Sequence, residues 1–293
     1  MTGRVILLGS AFAFSVALLT SASVYAVPQT NDQQKCINKM NKDAIKLQAS
    51  QGKEQSECVK RETNDEAGTD VDACIVADPR LKVSKRQDKT TADDDKFCGG
   101  SGLPGFGYTG DTTINVAARQ AEVDMFHDIF GNPSDPNLYD CNPFVGECQC
   151  QRNVADRIEK LFATLGRTWV KCKKSALKVD KEPFPLGAAS GADLQVCVEA
   201  GTVAASVSND PGGKIADRSQ NILDSITLQA CNGTGNDSFG GPACNRTALG
   251  GAPTDVELRD CLQNRVECRF CLMVNAIDNL AIDCSAFSGV TCP

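Results

Sequence analysis

The chain has few aromatic residues and a single histidine. Among 293 residues it has 12 Phe, three Tyr and one Trp, and His127 is the only histidine. A large aromatic core is therefore not expected to be the main source of stability, and covalent crosslinks are the expected compensation. After residue 19, no stretch is apolar enough to span a bilayer.

The N-terminus has the form of an export signal. Arg4 precedes an apolar run at residues 5–19, and Val24-Tyr25-Ala26 has the small-residue ending of a signal-peptidase site. We therefore expect residues 1–26 to be removed on export to the periplasm or beyond. An uncleaved membrane anchor is the alternative, which the short apolar run and the missing stop-transfer flank disfavour.

An excess of positive charge is also missing. The chain has 30 Lys and Arg against 37 Asp and Glu, a formal charge of −7, and removal of residues 1–26 takes away Arg4 alone and leaves −8. Binding to a phosphate backbone depends on clustered Lys and Arg. We found no basic stripe interleaved with aromatic residues, so the sequence predicts no nucleic-acid partner.

Cysteines, in contrast, are abundant. All 16 follow residue 26. An even number in an exported chain is typical of a disulfide framework, here of up to eight bridges.

Two segments bounded by cysteines resemble one another. Cys36 and Cys58 enclose 21 residues, as do Cys150 and Cys172, and a shift of 114 positions superimposes residues 46, 47, 49 and 52 on identical ones. Apolar residues follow the 4-then-3 spacing of one helix face in both segments. An unbroken helix would separate its two cysteines by about 33 Å, so they cannot pair with each other.

A second repeated pattern follows each segment. Residues 78–86 (DPRLKVSKR) and 210–218 (DPGGKIADR) share the frame Asp-Pro-x-x-Lys-(Val/Ile)-x-x-Arg. Asp at an N-cap and Pro at the first helical position favour a helix start. The frames therefore predict helices from Asp78 to Cys98 and from Asp210 to Cys231. The inward face of the second is predicted to be Ile215, Ser219, Ile222, Ile226 and Ala230.

Antiparallel helix pairs would bring particular cysteines together. The predicted bridges are Cys36 with Cys98, Cys58 with Cys74, Cys150 with Cys231, and Cys172 with Cys197. In the chain-entropy model each would contribute about 3 to 4 kcal/mol. The other cysteines are assigned to disulfides without partners: Cys141, Cys148, Cys244, Cys261, Cys268, Cys271, Cys284 and Cys292.

Two further helices have clear limits. One begins at Asp111 as a cap, has Ile114, Ala118, Ala121, Met125 and Ile129 on one face, and stops at Gly131 and Pro133. The other begins with a capping box of Thr254 and Glu257. Its apolar face is Leu258, Leu262, Val266, Phe270, Met273, Ile277 and Leu280. The Gly-rich stretches 99–110, 187–213 and 232–253 are predicted loops.

Few motifs point to chemistry. Cys268-x-x-Cys271 fits structural disulfides better than a redox pair or half of a zinc site, because its surroundings are helical and no second C-x-x-C exists. His127, beside Asp128, would have to serve any Ser-His-Asp or Cys-His site, but no G-x-S-x-G is present. Gly100-x-Gly102-x-x-Gly105 lacks the preceding strand of a dinucleotide fingerprint.

Other patterns indicate surface features. The acidic stretches 93–95 and 128–140 do not match the EF-hand spacing and are interpreted as solvated acidic faces. Asn232, Asn236 and Asn245 begin formal glycosylation sequons. Their use depends on whether the host glycosylates exported chains.

The chain resembles a loosely defined group of exported, cysteine-rich helical repeat proteins of bacteria. The resemblance rests on the cysteine-bounded helix, on GYTG…NVAARQAE…HDIFG and on the closing RDCLQNRVECRFCLMVNAIDNLAIDC. It covers most of the chain after residue 26. No activity is assigned to that group, so the resemblance implies a stapled helical fold and no function.

We therefore expect an all-α protein of disulfide-stapled antiparallel hairpins in two related copies. The predicted parts are a signal peptide (1–26), a first stapled unit with the following helix (27–140), a second stapled unit (141–231) and a cysteine-rich helical segment (232–293). The leading function is a non-catalytic structural or interaction protein for an unknown protein or small ligand. No cofactor, catalytic residue or metal ligand is assigned, and no transmembrane segment is expected after signal removal.

Two alternative functions stay open. One is a metal-binding protein that uses some cysteines and acids. The other is an enzyme that uses His127 or the Cys268 and Cys271 pair.

Overall fold

The computed structural model describes residues 28–64, 70–100, 102–134, 138–181, 184–199, 203–228, 231, 239, 244, 249–251, 253–285 and 292. The predicted signal peptide, Ala230 and the sequon asparagines Asn232, Asn236 and Asn245 lie outside the described residues.

The described chain is helical, as predicted. Its α-helices are α1 (Asn31–Glu62), α2 (Val71–Ala77), α3 (Lys82–Phe97), α4 (Asp111–Phe130), α5 (Val145–Ala176), α6 (Lys214–Leu228) and α7 (Asp255–Asp278). A short antiparallel hairpin, β1 (Val179–Lys181) and β2 (Phe184–Leu186), pairs Val179 with Leu186 and was not predicted. A 3₁₀ helix spans Ala192–Cys197.

The two longest helices, α1 and α5, pack against each other at the centre. Asn41 contacts Lys173 near the start of α1, and Thr63 contacts Arg152 just beyond its end, so the two helices run antiparallel. Helices α3 and α4 pack on α1, α6 and α7 pack on α5, and α4 also packs against α7. The apolar faces of all these helices join in one buried core.

The predicted starts of α3 and α6 are wrong by three residues, since the first helical residues are Lys82 and Lys214 and not Pro79 and Pro211. Asp78 and Asp210 both have positive φ, at 46° and 41°. Each closes a turn in which its carbonyl accepts the N–H three residues later, from Leu81 and Gly213, both at 2.8 Å. Proline suits the second position of such a turn, so each frame forms a turn first and the helix begins at its lysine.

The two aspartates still bond the first turns of these helices. The Asp78 carboxylate accepts the backbone N–H of Ser84 at 2.7 Å, and Asp210 accepts that of Ala216 at 2.8 Å. Both frames thus fold alike, although the origin of the two hairpins as copies of one unit stays a prediction. Of the predicted inward face of α6, Ile215, Ser219, Ile222 and Ile226 are buried.

The predictions for α4 and α7 hold with one correction. Thr254 and Glu257 form the predicted capping box of α7. At α4 the N-cap is Gly110, without a side-chain cap bond, and Asp111 is the first helical residue. The predicted apolar faces of both helices are buried, except that Leu280 lies beyond α7 and is partly buried.

All 16 cysteines pair in the structure. The pairs are Cys36–Cys98, Cys58–Cys74, Cys141–Cys148, Cys150–Cys231, Cys172–Cys197, Cys244–Cys261, Cys268–Cys292 and Cys271–Cys284. The four pairs predicted from antiparallel helices are among them. Their Cα atoms lie 5.0 to 5.9 Å apart, within the usual range for a bridge.

No helix in the described residues has both the length and the apolar character needed to cross a membrane.

Candidate functional site

A groove of about 820 Å³ follows the contact between α1 and α5. We call it the lysine groove, and it is lined by Lys35, Asn38, Lys39, Lys42, Ile45, Lys46, Ala49, Phe97, Ala163, Arg167, Val170, Lys171 and Lys174. Seven of these residues are cationic, and no acidic residue is among the described lining residues. In an acidic chain this is a marked local separation of charge.

The lining has two chemically distinct parts. The cations form two rims, one on each helix, and all of them are exposed except Lys39, which is partly buried. Between them lie the aliphatic side chains of Ile45, Ala49, Ala163 and Val170, with Phe97 of α3 at the edge. An occupant would therefore meet an apolar floor and positive charge on both flanks.

A glycine allows the two helices to approach closely at this floor. A Cβ atom at Gly166 would lie 2.3 Å from Cδ1 of Ile45, which is closer than real atoms come. Ile45 therefore occupies the space that a side chain at position 166 would fill. The close approach of the two helices at this point therefore depends on Gly166.

Two of the rim lysines are paired within the protein. Lys35 bonds Asp32 at 2.7 Å, and Lys39 bonds both Asp43 and Asp93. Hydrogen bonds from Lys39 and from Lys89 outweigh burial, and hold the pKa of the Asp93 carboxyl below its usual value. Lys39 is thus fixed at the edge of the groove by two largely buried carboxylates.

The other five cations are not neutralised in this way. Within the described part of the chain, no carboxylate lies within 4.0 Å of the charged groups of Lys42, Lys46, Arg167, Lys171 or Lys174. Partial burial lowers the pKa of Lys46, and neighbouring cations, Lys42 first, add to this although Asp43 opposes it. The groove therefore presents uncompensated positive charge, to which an anion would be attracted.

A second hollow, of about 690 Å³, lies between α5 and α6. It is lined by Thr164, Arg167, Thr168, Lys171, Lys214, Asp217, Arg218, Gln220, Asn221 and Asp224. Arg167 and Lys171 border both hollows. Because Asp217 and Asp224 place negative charge in the second hollow, it does not share the uniform sign of the lysine groove.

A buried polar network lies at the contact between α1 and α5, close in sequence to the groove-lining residues Lys42 and Lys174. Lys173 and Asp278 are almost completely buried and form an ion pair at 2.6 Å. The Lys173 ammonium also donates to the side-chain oxygen of Asn41 at 2.9 Å and to the carbonyl of Gly107 at 3.3 Å. Burial lowers the pKa of Lys173, while the Asp278 carboxylate opposes that change. The network joins α1, α5, α7 and the segment before α4.

The structure places His127 in a structural contact. Its Nε2 lies 3.0 Å from a carboxylate oxygen of Asp72, which also accepts the Ser134 hydroxyl at 2.8 Å. In a catalytic triad the imidazole lies between the serine and the carboxylate. Here the carboxylate lies between the other two groups, so this cluster does not have the geometry of a triad.

The other motifs are also in structural contacts. Cys268 and Cys271 bond to different partners and not to each other. Asp128 accepts from Arg269 at 2.7 and 2.8 Å, and Asp94 accepts from Tyr108 at 2.7 Å. Within the described residues, no three His, Cys, Asp or Glu side chains are grouped to hold a metal ion.

The sequence contains a helical pattern of cations that points to the lysine groove. Lys35, Lys39, Lys42 and Lys46 follow the 4-3-4 spacing of one helix face, and Arg167, Lys171 and Lys174 follow the 4-3 spacing. Neither stripe has aromatic residues interleaved among its groove-lining cations, so the absence of a predicted nucleic-acid partner stays a prediction. The two stripes meet only because α1 and α5 pack together, which the sequence did not indicate.

Comparison of the chain with protein-family models, with curated proteins and with solved structures finds no match. The resemblance to exported cysteine-rich repeat proteins stays an expectation.

Proposed function

We propose that this chain is an exported, non-catalytic binding protein whose lysine groove takes an anionic partner. The observation that supports this most directly is a set of five cations around an aliphatic floor, none of which has a carboxylate of the described residues within 4.0 Å, on a chain of net charge −7. An isolated surface lysine needs no explanation. Seven cations around one groove without an acid among them favour a complementary ligand.

The scaffold around the groove suits a binding role. The Lys173 and Asp278 network and the Ile45 contact with Gly166 support its floor, and the disulfides Cys36–Cys98 and Cys172–Cys197 anchor α1 and α5. A rim on rigid helices loses little conformational freedom when a ligand binds. Eight disulfides also favour an oxidising compartment, in agreement with the signal-like first 26 residues.

The test uses a fluorescein-labelled poly-L-glutamate of about 20 residues and the disulfide-intact chain without residues 1–26. Fluorescence anisotropy is measured between about 25 and 300 mM NaCl, a range over which screening of exposed charges rises steeply. We expect binding that weakens as salt rises. The variant Lys42→Glu with Lys171→Glu reverses one charge on each rim, and should lower the affinity at least about tenfold.

The matched control reverses two exposed lysines outside the groove, Lys60→Glu with Lys82→Glu. This control changes the net charge by the same amount but leaves the lysine groove intact. Its affinity for poly-L-glutamate should therefore stay within about twofold of the parent. Equal losses in the two double variants would mean that net charge, and not the groove, determines binding. Absence of any salt-dependent binding would also contradict the proposal.

A further inference from the structure

We propose that the occupant of the lysine groove is an acidic amphipathic α-helix of a partner protein, an inference that rests on the proposed function. The proposed function specifies only that the ligand is anionic, whereas this inference specifies its structure. Three features of the groove lead to it: the register of its cations, the composition of its floor and its length.

The first feature is the register between the two rims. Ile45 lies against Gly166 and Asn41 contacts Lys173, which fixes how the antiparallel helices align. Stepping along both helices from these contacts, Lys46 lies opposite Arg167, Lys42 opposite Lys171, and Lys39 opposite Lys174. The rims thus form three successive pairs of cations, and only the third includes a cation, Lys39, that is already paired with carboxylates of the chain.

The spacing of these pairs is that of a helix. Consecutive pairs are separated by four and then three residues on both helices, so the pairs lie about 5 Å apart. A helix lying along the groove repeats its side chains at this same interval. Acidic residues on both sides of its apolar stripe would meet both rims in successive turns.

The second feature is the floor. Ala49 and Ala163 are small and Ile45 and Val170 are branched aliphatics, the surface against which the apolar stripe of a helix packs. Single-stranded nucleic acids are held by stacking of bases on aromatic side chains. Phe97 is the only aromatic residue among the described lining residues, so the floor favours a helix over a nucleic acid.

The third feature is the length. The lining residues of α1 extend from Lys35 to Ala49, which at 1.5 Å per residue is about 21 Å. This matches a helix of about 14 residues. A fatty acid of similar length would have a single charge at one end, and would leave most of the cation pairs without a partner.

The test uses three labelled 14-residue peptides. The first places Leu and Ala on one helical face with Glu at both edges of that face. The second has the same composition in an order without a helical face, and the third has Gln in place of Glu. Binding is measured by anisotropy at about 100 mM NaCl, and helix formation by circular dichroism of the mixture.

We expect the first peptide to bind at least about tenfold more tightly than the other two, and to become helical on binding. A fourth peptide, with Lys in place of Glu, should bind the Lys42→Glu, Lys171→Glu variant better than it binds the parent chain. This reversal of preference depends on charge pairing across the groove. The Lys60→Glu, Lys82→Glu control should keep the parent's preference.

Equal binding of the scrambled and helical acidic peptides would overturn the helix while the anion-binding groove stands. In another outcome, a 12-nucleotide single-stranded DNA or oleate binds more tightly than the helical acidic peptide and loses this binding in the Lys42→Glu, Lys171→Glu variant. That result would also overturn the helix and leave the anion-binding groove standing. Failure of every anion to bind would overturn both proposals.

Discussion

The most informative stability prediction concerns Glu122, which lies at the centre of the helix packing. Its carboxyl is fully buried and accepts the side-chain N–H of Gln48. The second oxygen of Glu122 and the side-chain oxygen of Gln48 have no hydrogen-bond partner among the residues that the structure describes. A proton on Glu122 would give each of them one, because a carboxylic acid and a primary amide form two mutual hydrogen bonds.

The surroundings favour that proton. Burial raises the pKa of Glu122 well above its usual value, and the nearby Glu159 carboxyl reinforces this, while Gln48 opposes it. Burial also raises the pKa of Glu159. The side chains of Glu122 and Glu159 both lie against Gly52. A Cβ atom at position 52 would lie 2.2 Å from Cγ of Glu159 and 2.6 Å from Oε1 of Glu122. Gly52 thus provides the space for two neighbouring carboxyl groups.

The sign of the pH dependence follows from this direction. The folded chain binds a proton at Glu122 that the unfolded chain loses above a pKa of about 4.3, so stability falls as pH rises above that value. The loss stops once pH exceeds the folded pKa. Between the unfolded and the folded pKa, keeping this proton costs the folded chain at most about 1.4 kcal/mol of stability for each pH unit.

Glu122→Gln removes this cost, because two amides form the same pair of hydrogen bonds without a proton. The variant should match the parent near pH 4, and its advantage should grow by up to about 1.4 kcal/mol for each pH unit until pH exceeds the folded pKa of Glu122. The assay is guanidinium unfolding of the disulfide-intact chain between pH 4 and 8. Glu57→Gln, which alters a half-exposed carboxylate, serves as control and should show no such gain. A constant difference at all pH values would refute the reasoning.

Three further outcomes are expected. Lys173→Met should destabilise the chain by about 3 to 5 kcal/mol because Asp278 loses its buried partner, and adding Asp278→Leu should restore most of that in denaturant unfolding. Gly166→Ala should lower the free energy of unfolding by about 1 to 3 kcal/mol, because its methyl group clashes with Ile45, and adding Ile45→Val should restore part of this loss. An unchanged denaturation midpoint in Gly166→Ala would contradict the close approach of the two helices. Reduction of all eight bridges should lower the melting temperature sharply, and a melting temperature unaffected by strong reductant would refute the stapled architecture.

Local patterns in the sequence predicted much of the fold. The capping box at Thr254 and the 3.6-residue periodicity identified α7, and antiparallel packing of adjacent helices led to four of the bridges. The helix starts at Asp78 and Asp210 were misplaced, because an Asp-Pro pair fits a β-turn as well as an N-cap. Here the fourth residue of each frame has positive φ, which separates the aspartate from the helix.

The site was less predictable because it depends on contacts between distant segments. In the sequence, the lysines of α1 look like an ordinary solvent-exposed helix face. They form one side of a groove only because α5 packs beside α1. Lys173 looks equivalent to Lys171 and Lys174 in sequence, yet it lies one turn after Trp169 on the buried face of α5. Its partner Asp278 is 105 positions away, and no local pattern indicates such a pairing.

Chemical labelling of lysines tests the central claim most directly. The disulfide-intact chain is treated briefly with an acetylating reagent, with and without saturating poly-L-glutamate, and the modified positions are quantified by mass spectrometry. The account predicts that Lys42, Lys46, Lys171 and Lys174 are protected, while Lys60 and Lys82 react at unchanged rates. Uniform protection of all six lysines, or protection confined to the last two, would contradict a binding site in the lysine groove.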